Sequence, residues 1–410
     1  MSKNNYLFQQ IRIGNKISEN RLAVNSLECC DADSVGNPSE KTYRRYNGYF
    51  EGGFGLVFLE SITITYESRL VKMQLSIMPR NEKALKKFID EIKAINPKTL
   101  LILQLTHSGE ASNPEFSKRV TVKPLPGIGG KLLTEEALEK IIDDFVISAK
   151  IAHSAGADGV DIKLCHGNNI GSQILRPYND RKWKYGGSWE NRTRFAYNIY
   201  ERIQKEINDP NFIVGSKISV WEGFPGGCGS SGPDSALVDL TESLDLVKNL
   251  EARGAKFILV SAGGALCSSA LAMPDRKYPE DVYIHFTFQK AVKSVLKPET
   301  VVIGSGYSVL NKGNNNLIGL NREEASIRYW GNKNIKDGVT DMIAIGRQSL
   351  ADSFIAAKLK ENKDNKVRWC TACNRCFQLV INKENSGCCT YFKEYRDAYR
   401  MIKNKKTSEL

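Results

Sequence analysis

Short apolar runs rich in Val, Ile and Leu recur along the whole chain. They read RLAVNS at 21–26, GLVFLE at 55–60, LLILQL at 100–105, GVDIK at 159–163, IVGSKIS at 213–219, FILVS at 257–261, VVIGS at 301–305 and MIAIG at 342–346. Most are near-continuous rather than strictly alternating, as expected for parallel strands covered on both faces. Between them a helical period takes over. The clearest helix begins at Thr134, an N-cap residue, with Glu135 and Glu136 in its first turn. Leu138, Ile141, Ile142, Phe145, Val146, Ala149 and Ala152 then share one face, and Gly156 supplies the left-handed stop. Further helices are expected at 39–52, 82–95, 192–207 and 282–296, from Asp234 or Ser235 to Gly254, and from Asn321 onward.

Strict strand–helix alternation predicts an α/β fold, a (β/α)₈ TIM barrel, over residues 1–366. Loop lengths agree. Helix-to-strand links are short, such as 157–158, whereas 106–133, 220–233 and 262–281 are long strand-to-helix links. In a parallel barrel those long loops build the C-terminal face, where active sites form. No Pro/Ser-rich linker or charge run divides the chain near its middle.

Composition adds limits. The net charge of +12 is spread over helices and mixed with acids, without a basic stripe interleaved with aromatics, so nucleic acid is not the expected partner. No apolar run approaches a membrane span and the N-terminus carries no signal-peptide pattern, so a cytoplasmic protein is expected. Ten Cys in such a chain argue for thiols rather than a disulfide scaffold.

The candidate chemistry lies at the strand ends. Gly304, Ser305 and Gly306 after the seventh run, with Gly346 and Arg347 after the eighth, allow backbone amides and a guanidinium to meet a phosphate. Gln104, Lys163, His166 and Lys217 converge on the same mouth if the barrel closes.

GADGVDIKLCHGNNIGSQILRPYNDRKWKYGGSWENRTRF at 156–195 closely resembles the fourth β–α unit of the Old Yellow Enzyme family of NADH:flavin oxidoreductases, which includes the barrel domain of 2,4-dienoyl-CoA reductases. ENRLAVNS, EGGFGLVFLE, LQLTHSGE and DMIAIGRQSLADS extend the resemblance over about residues 10–390. The resemblance implies an FMN-binding barrel using NAD(P)H. It implies Gln104 on the flavin pyrimidine, Lys217 where the family usually has Arg, and Asn25 and Ser26 against the ring. Gly304, Ser305, Gly306, Gly346 and Arg347 would hold the phosphate. On the substrate side the chain departs from the family. Lys163 and His166 replace the usual His pair or His–Asn pair, and Asn168 stands where a Tyr proton donor is common.

The tail, 367–410, is expected to form a Cys-rich extension packed on the barrel. Cys370, Cys373 and Cys376 at two successive x₂ spacings, with Cys388 or Cys389 downstream, suit a four-thiolate site for an iron–sulfur cluster or zinc; free thiols are the third alternative. In the dienoyl-CoA reductase branch a similar tail binds a 4Fe–4S cluster, with a gap between its second and third Cys one residue longer than here. Those relatives continue into an FAD domain, which a chain ending at Leu410 is not expected to contain.

The leading expectation is an FMN-dependent NAD(P)H oxidoreductase, ene-reductase-like, acting on a small activated, α,β-unsaturated carbonyl compound. Alternatives are an FMN/iron–sulfur electron-transfer or demethylase-type partner of a separate flavoprotein, and a flavin-binding barrel with reduced turnover. Homo-oligomerisation stays open.

Overall fold

The computed structural model describes residues 5–125, 127–167, 169–264, 267–311 and 325–408. Eight parallel strands close into a barrel: β1 (Leu22–Val24), β2 (Leu56–Thr63), β3 (Leu100–Thr106), β4 (Gly159–Ile162), β5 (Ile213–Ser219), β6 (Phe257–Ser261), β7 (Val301–Gly304) and β8 (Met342–Ile345). Neighbours in the ring are neighbours in sequence, and β8 pairs with β1 through Ile343↔Leu22 and Ile345↔Val24. All eight expected strands are present, each within a few residues of its apolar run.

The outer ring contains α1 (Glu40–Glu51), α2 (Glu82–Ile95), α3 (Glu135–Ser154), α4 (Trp189–Ile207), α5 (Thr241–Ala252), α6 (Val282–Lys293) and α7 (Ile327–Lys336). Thr134 caps α3 by accepting from the Ala137 amide, and Ser39 and Thr42 form a capping box on α1. Two helix starts differ from expectation: α4 begins at Trp189 rather than at 192, because the Ser188 side chain caps it by accepting from the Asn191 amide. α5 begins at Thr241 rather than Asp234 or Ser235, because the Ser235 hydroxyl instead accepts from the Leu237 amide and Ser230 pairs with Val238. The expected start at Asn321 lies outside the described residues; α7 is capped by Ser326.

Side-chain alternation along the strands sorts the core into two layers. On β3, Leu101, Leu103 and Leu105 pack outward beneath the helices, whereas Leu100 and Ile102 point into the barrel. The inward set continues with Ala23, Leu56, Phe58, Ile213, Phe257, Leu259, Val301, Ile303, Met342 and Ala344. Ile13 joins them from an N-terminal hairpin, Ile11–Ile13 with Lys16–Ser18, whose turn uses Gly14 in a left-handed conformation. The lower half of the barrel is therefore filled by hydrocarbon, and one end is closed.

The tail crosses the open face. It is tied to the β1 side by Ser386 N donating to Cys29 O at 2.8 Å and by a small cluster of Cys30, Val71 and Val380. Among the described residues no helix is long and apolar enough to cross a membrane.

Candidate active site

The inward parity that places Leu100 and Ile102 in the barrel places Gln104 and Thr106 at its mouth. The same step along other strands brings in Asn25 after β1, Asp161 and Lys163 from β4, and Lys217 from β5. Ser261, Ser305 and Gly346 follow from β6, β7 and β8. All of these except Asp161 line one cavity of about 550 Å³, within the range of small-molecule and cofactor sites. An apolar lower layer thus carries a polar upper one.

Asp161 organises that upper layer. Its Oδ2 accepts from Gln104 Nε2 at 2.6 Å and its Oδ1 from the Lys217 backbone amide at 2.7 Å. Burial is the largest influence on this carboxyl and, despite those hydrogen bonds, leaves it raised to about 6. Lys217 Nζ donates to Asn25 Oδ1 at 2.8 Å, and burial lowers its pKa.

At the end of the same strand as Asp161, Lys163 Nζ donates to Glu28 Oε1 at 3.0 Å and to Ser61 Oγ at 2.7 Å. Burial opposes its charge, but Glu28, Cys165 and Asp161 outweigh burial and the pKa is raised. Ser61 reaches this position because the β2–β3 register shifts between Leu59 and Ile62. His166 sits at φ 64°, with its amide on Ser219 Oγ and Nε2 2.9 Å from Ser261 Oγ. Burial first, then Lys217 and Lys163, holds its imidazole well below the usual range. His166 is therefore a neutral hydrogen-bonding group beside a charged Lys163.

A buried cation anchors this loop. Arg176 Nε donates to Glu222 Oε2 at 2.9 Å, Nη1 to Glu110 Oε1 at 3.3 Å, and Nη2 to Gly167 O. Asn168 lies outside the described residues.

At the glycine turns, Ser305, Gly306, Gly346 and Arg347 line the cavity. Gly306 has φ 97°, and a Cβ there would come within 3.1 Å of the His285 ring. Gly304 does not line the cavity. It has the outward parity of β7, and a Cβ on it would strike Gln289 Oε1 at 2.2 Å, so its need for glycine comes from packing against α6. Arg347 Nη2 donates to Pro274 O at 2.6 Å and its Nη1 reaches Asn374 in the tail.

The tail roofs the cavity with Cys376, Phe377, Val380 and Ile381. Ala372 N donates to Cys370 Sγ at 3.4 Å, and Ala372 and Asn374 both have positive φ, so the chain wraps around this sulfur. Burial raises the Cys370 thiol to about 11 and the Cys376 thiol to about 12; Cys373 and Cys388 act electrostatically on Cys370. Among the described residues no three His, Cys, Asp or Glu side chains converge to hold a metal ion.

Sequence reasoning did not single out Asp161, Glu28, Ser61 or Ser261. Asp161 was legible in the alternation of GVDIK, where Val160 and Ile162 face the helices and Asp161 and Lys163 face inward.

A closed parallel barrel with a polar cavity at its mouth and glycine turns after β7 and β8 defines a TIM barrel. More narrowly, residues 6–324 match the family model for the NADH:flavin oxidoreductase / NADH oxidase family, and the chain belongs to that family. Two curated relatives are an NADH oxidase from Thermoanaerobacter brockii and a cinnamate reductase from Clostridium sporogenes. The first is 27% identical over 90% of this chain and 52% of its own length; the second is 28% identical over 95% and 58%. The chain spans about half the length of these relatives. A solved 2-naphthoyl-CoA reductase complex has the same fold, with TM-score 0.79 and 20% identity over 96% of this chain and 58% of that one.

Proposed function

We propose that the chain is an FMN-dependent NAD(P)H oxidoreductase acting on an activated, α,β-unsaturated carbonyl compound. The observation that carries this reading is the polar upper layer of the barrel: Asn25, Gln104, Lys163, Lys217, Ser305 and Gly346 reach one cavity from separate strands. Two buried hydroxyls on its wall, Ser26 Oγ and Thr106 Oγ1, have no partner of their own among the described residues, which suits a ligand rich in heteroatoms.

FMN, when bound, supplies hydride transfer between NAD(P)H and the substrate. Gln104, with its Nε2 committed to Asp161, presents Oε1 as an acceptor for a pyrimidine N–H. Lys217 holds positive charge against the electron-rich end of the ring, with Asn25 fixing its ammonium. Asn25 and Ser26 edge the ring, and Ser305, Gly306, Gly346 and Arg347 hold the phosphate. Lys163 donates to the substrate oxygen as a charged group and His166 as a neutral one, so negative charge developing there meets a fixed cation. Asn168 has no phenolic proton, and the proton reaches the product from Lys163 or water.

The test is anaerobic NAD(P)H oxidation by the purified chain with 2-cyclohexenone as acceptor. Turnover that depends on the acceptor supports the reading; a yellow protein reduced by NAD(P)H that passes nothing to any enone removes the substrate half of it.

A second reading has its own support. Cys376 lines the flavin cavity, and the amide-to-sulfur contact at Cys370 suits a thiolate ligand. Cys370, Cys373, Cys376 and Cys388 would be the thiolates of such a site, with iron–sulfur and zinc as the alternatives. With iron–sulfur there, the barrel, 1–366, and its extension, 367–410, pass single electrons to a separate flavoprotein. Either chemistry suits a cytoplasmic protein.

A further inference from the structure

We propose that Arg119 is the recognition point for a carboxylate on the substrate, separate from the activated carbonyl that Lys163 and His166 face, which makes the preferred substrate an unsaturated carbonyl compound with an acidic end. The inference rests on the flavin-oxidoreductase reading and narrows its substrate class. It comes from the charges around the cavity. Among the described residues, five cationic side chains line it: Arg119, Lys163, Lys217, Arg347 and Lys383. Only two carboxylates do, Glu28 and Glu115. Lys163 is paired with Glu28 at 3.0 Å, and Lys383 with Glu115 at 2.6 Å. Lys217 rests on Asn25 and has Asp161 beneath it. Arg347 stands at the glycine turns after β7 and β8, where a phosphate binds in this kind of barrel.

Arg119 is left over. Its Nε donates to Ser112 O at 3.1 Å and its Nη1 to Ile128 O at 3.2 Å, and it forms no ion pair among the described residues. These two backbone carbonyls fix the plane of the guanidinium without neutralising it. A planar fork held in this way matches a carboxylate.

Topology places this charge away from the phosphate turns. Arg119 lies in the loop after β3 and Arg347 after β8, three strands apart in a ring of eight. The roof over the cavity is apolar, built from Leu70, Val71, Phe377 and Val380. A ligand that meets both features has an apolar body and an acidic end.

The test titrates the FMN-loaded chain with 4-(4-carboxyphenyl)-3-buten-2-one, whose carboxylate is separate from its enone, and with the methyl ester of that acid, following the flavin absorbance change in the absence of NAD(P)H. Wild type is expected to bind the acid about tenfold or more tightly than the ester, the scale of one charge-assisted hydrogen bond. Arg119→Met collapses that ratio toward one, and Arg119→Lys, which keeps the charge and loses the fork, retains part of it. Equal binding of acid and ester by wild type overturns the proposal whether or not the variants fold. So does a ratio that survives Arg119→Met. A variant that weakens NADPH but not NADH, with the acid preference intact, also overturns it and assigns Arg119 to the cofactor's 2′-phosphate. If the chain takes up no FMN, the flavin reading itself fails; calorimetry of both compounds on the flavin-free chain then still reads the acid-to-ester ratio.

Discussion

The Gln104 amide donates from Nε2 to Asp161 Oδ2 at 2.6 Å, and the same carboxylate takes the Lys217 backbone amide. Because an ionised carboxylate only accepts, it fixes which end of the Gln104 amide turns toward the cavity. Asp161→Asn removes that constraint and lets the amide face either way. The expected result is FMN binding weakened about tenfold or more, measured by quenching of FMN fluorescence.

Asp161 also sets a pH dependence. Burial is the main cause of its rise to about 6 from an ordinary 3.8. A carboxyl raised on folding contributes stability that is complete below the unfolded value and lost as pH climbs through the folded one. Asp161→Asn escapes that loss. The Tm of the variant minus that of wild type should therefore increase from about pH 4 to about pH 7, equivalent to roughly 2–3 kcal/mol. A difference that is flat across this window contradicts the assignment.

Lys163 and Glu28 form a charged pair on the cavity wall, and the proposed function puts the substrate oxygen there. Lys163→Met should lower kcat/KM for an enone by about 100-fold while FMN content stays that of wild type. Lys163→His, which brings in the residue usual for the family, should recover part of the loss. Steady-state kinetics on flavin-matched samples reads both.

On the proposed function, Asn168 stands where relatives commonly carry a Tyr proton donor. Asn168→Tyr is expected to raise turnover of 2-cyclohexenone by about tenfold or more, with a smaller solvent isotope effect once a positioned group delivers the proton. An unchanged rate places proton delivery elsewhere, with Lys163 as the first residue to test.

Much of this was legible in the chain. The eight apolar runs and the asymmetry of loop length gave the barrel, because strand burial and helix capping are local properties. Gln104, Lys163, Lys217 and Arg347 stood out because charged or amide groups at strand ends interrupt an apolar run. Glu28 and Ser61 did not. Glu28 meets Lys163 across 135 residues, and Ser61 turns inward only through the register shift on β2. Gly304 read as part of a phosphate turn, yet its neighbour in space is Gln289 on α6, a contact no spacing announces. The α5 start slipped because Ser235 caps a turn instead of a helix.

The buried cluster Glu110–Arg176–Glu222 holds the loop that carries His166. Arg176→Met strands two carboxylates in the interior, and urea unfolding should show a loss of about 3–5 kcal/mol.

The central claim is that the mouth of this barrel is an FMN site, and flavin stoichiometry tests it most directly. Protein stripped of bound nucleotide and titrated with FMN should saturate at one FMN per chain. Lys217→Met should weaken that binding and make the bound flavin harder to reduce. A chain that is colourless as purified and leaves FMN fluorescence unquenched at any concentration contradicts the account.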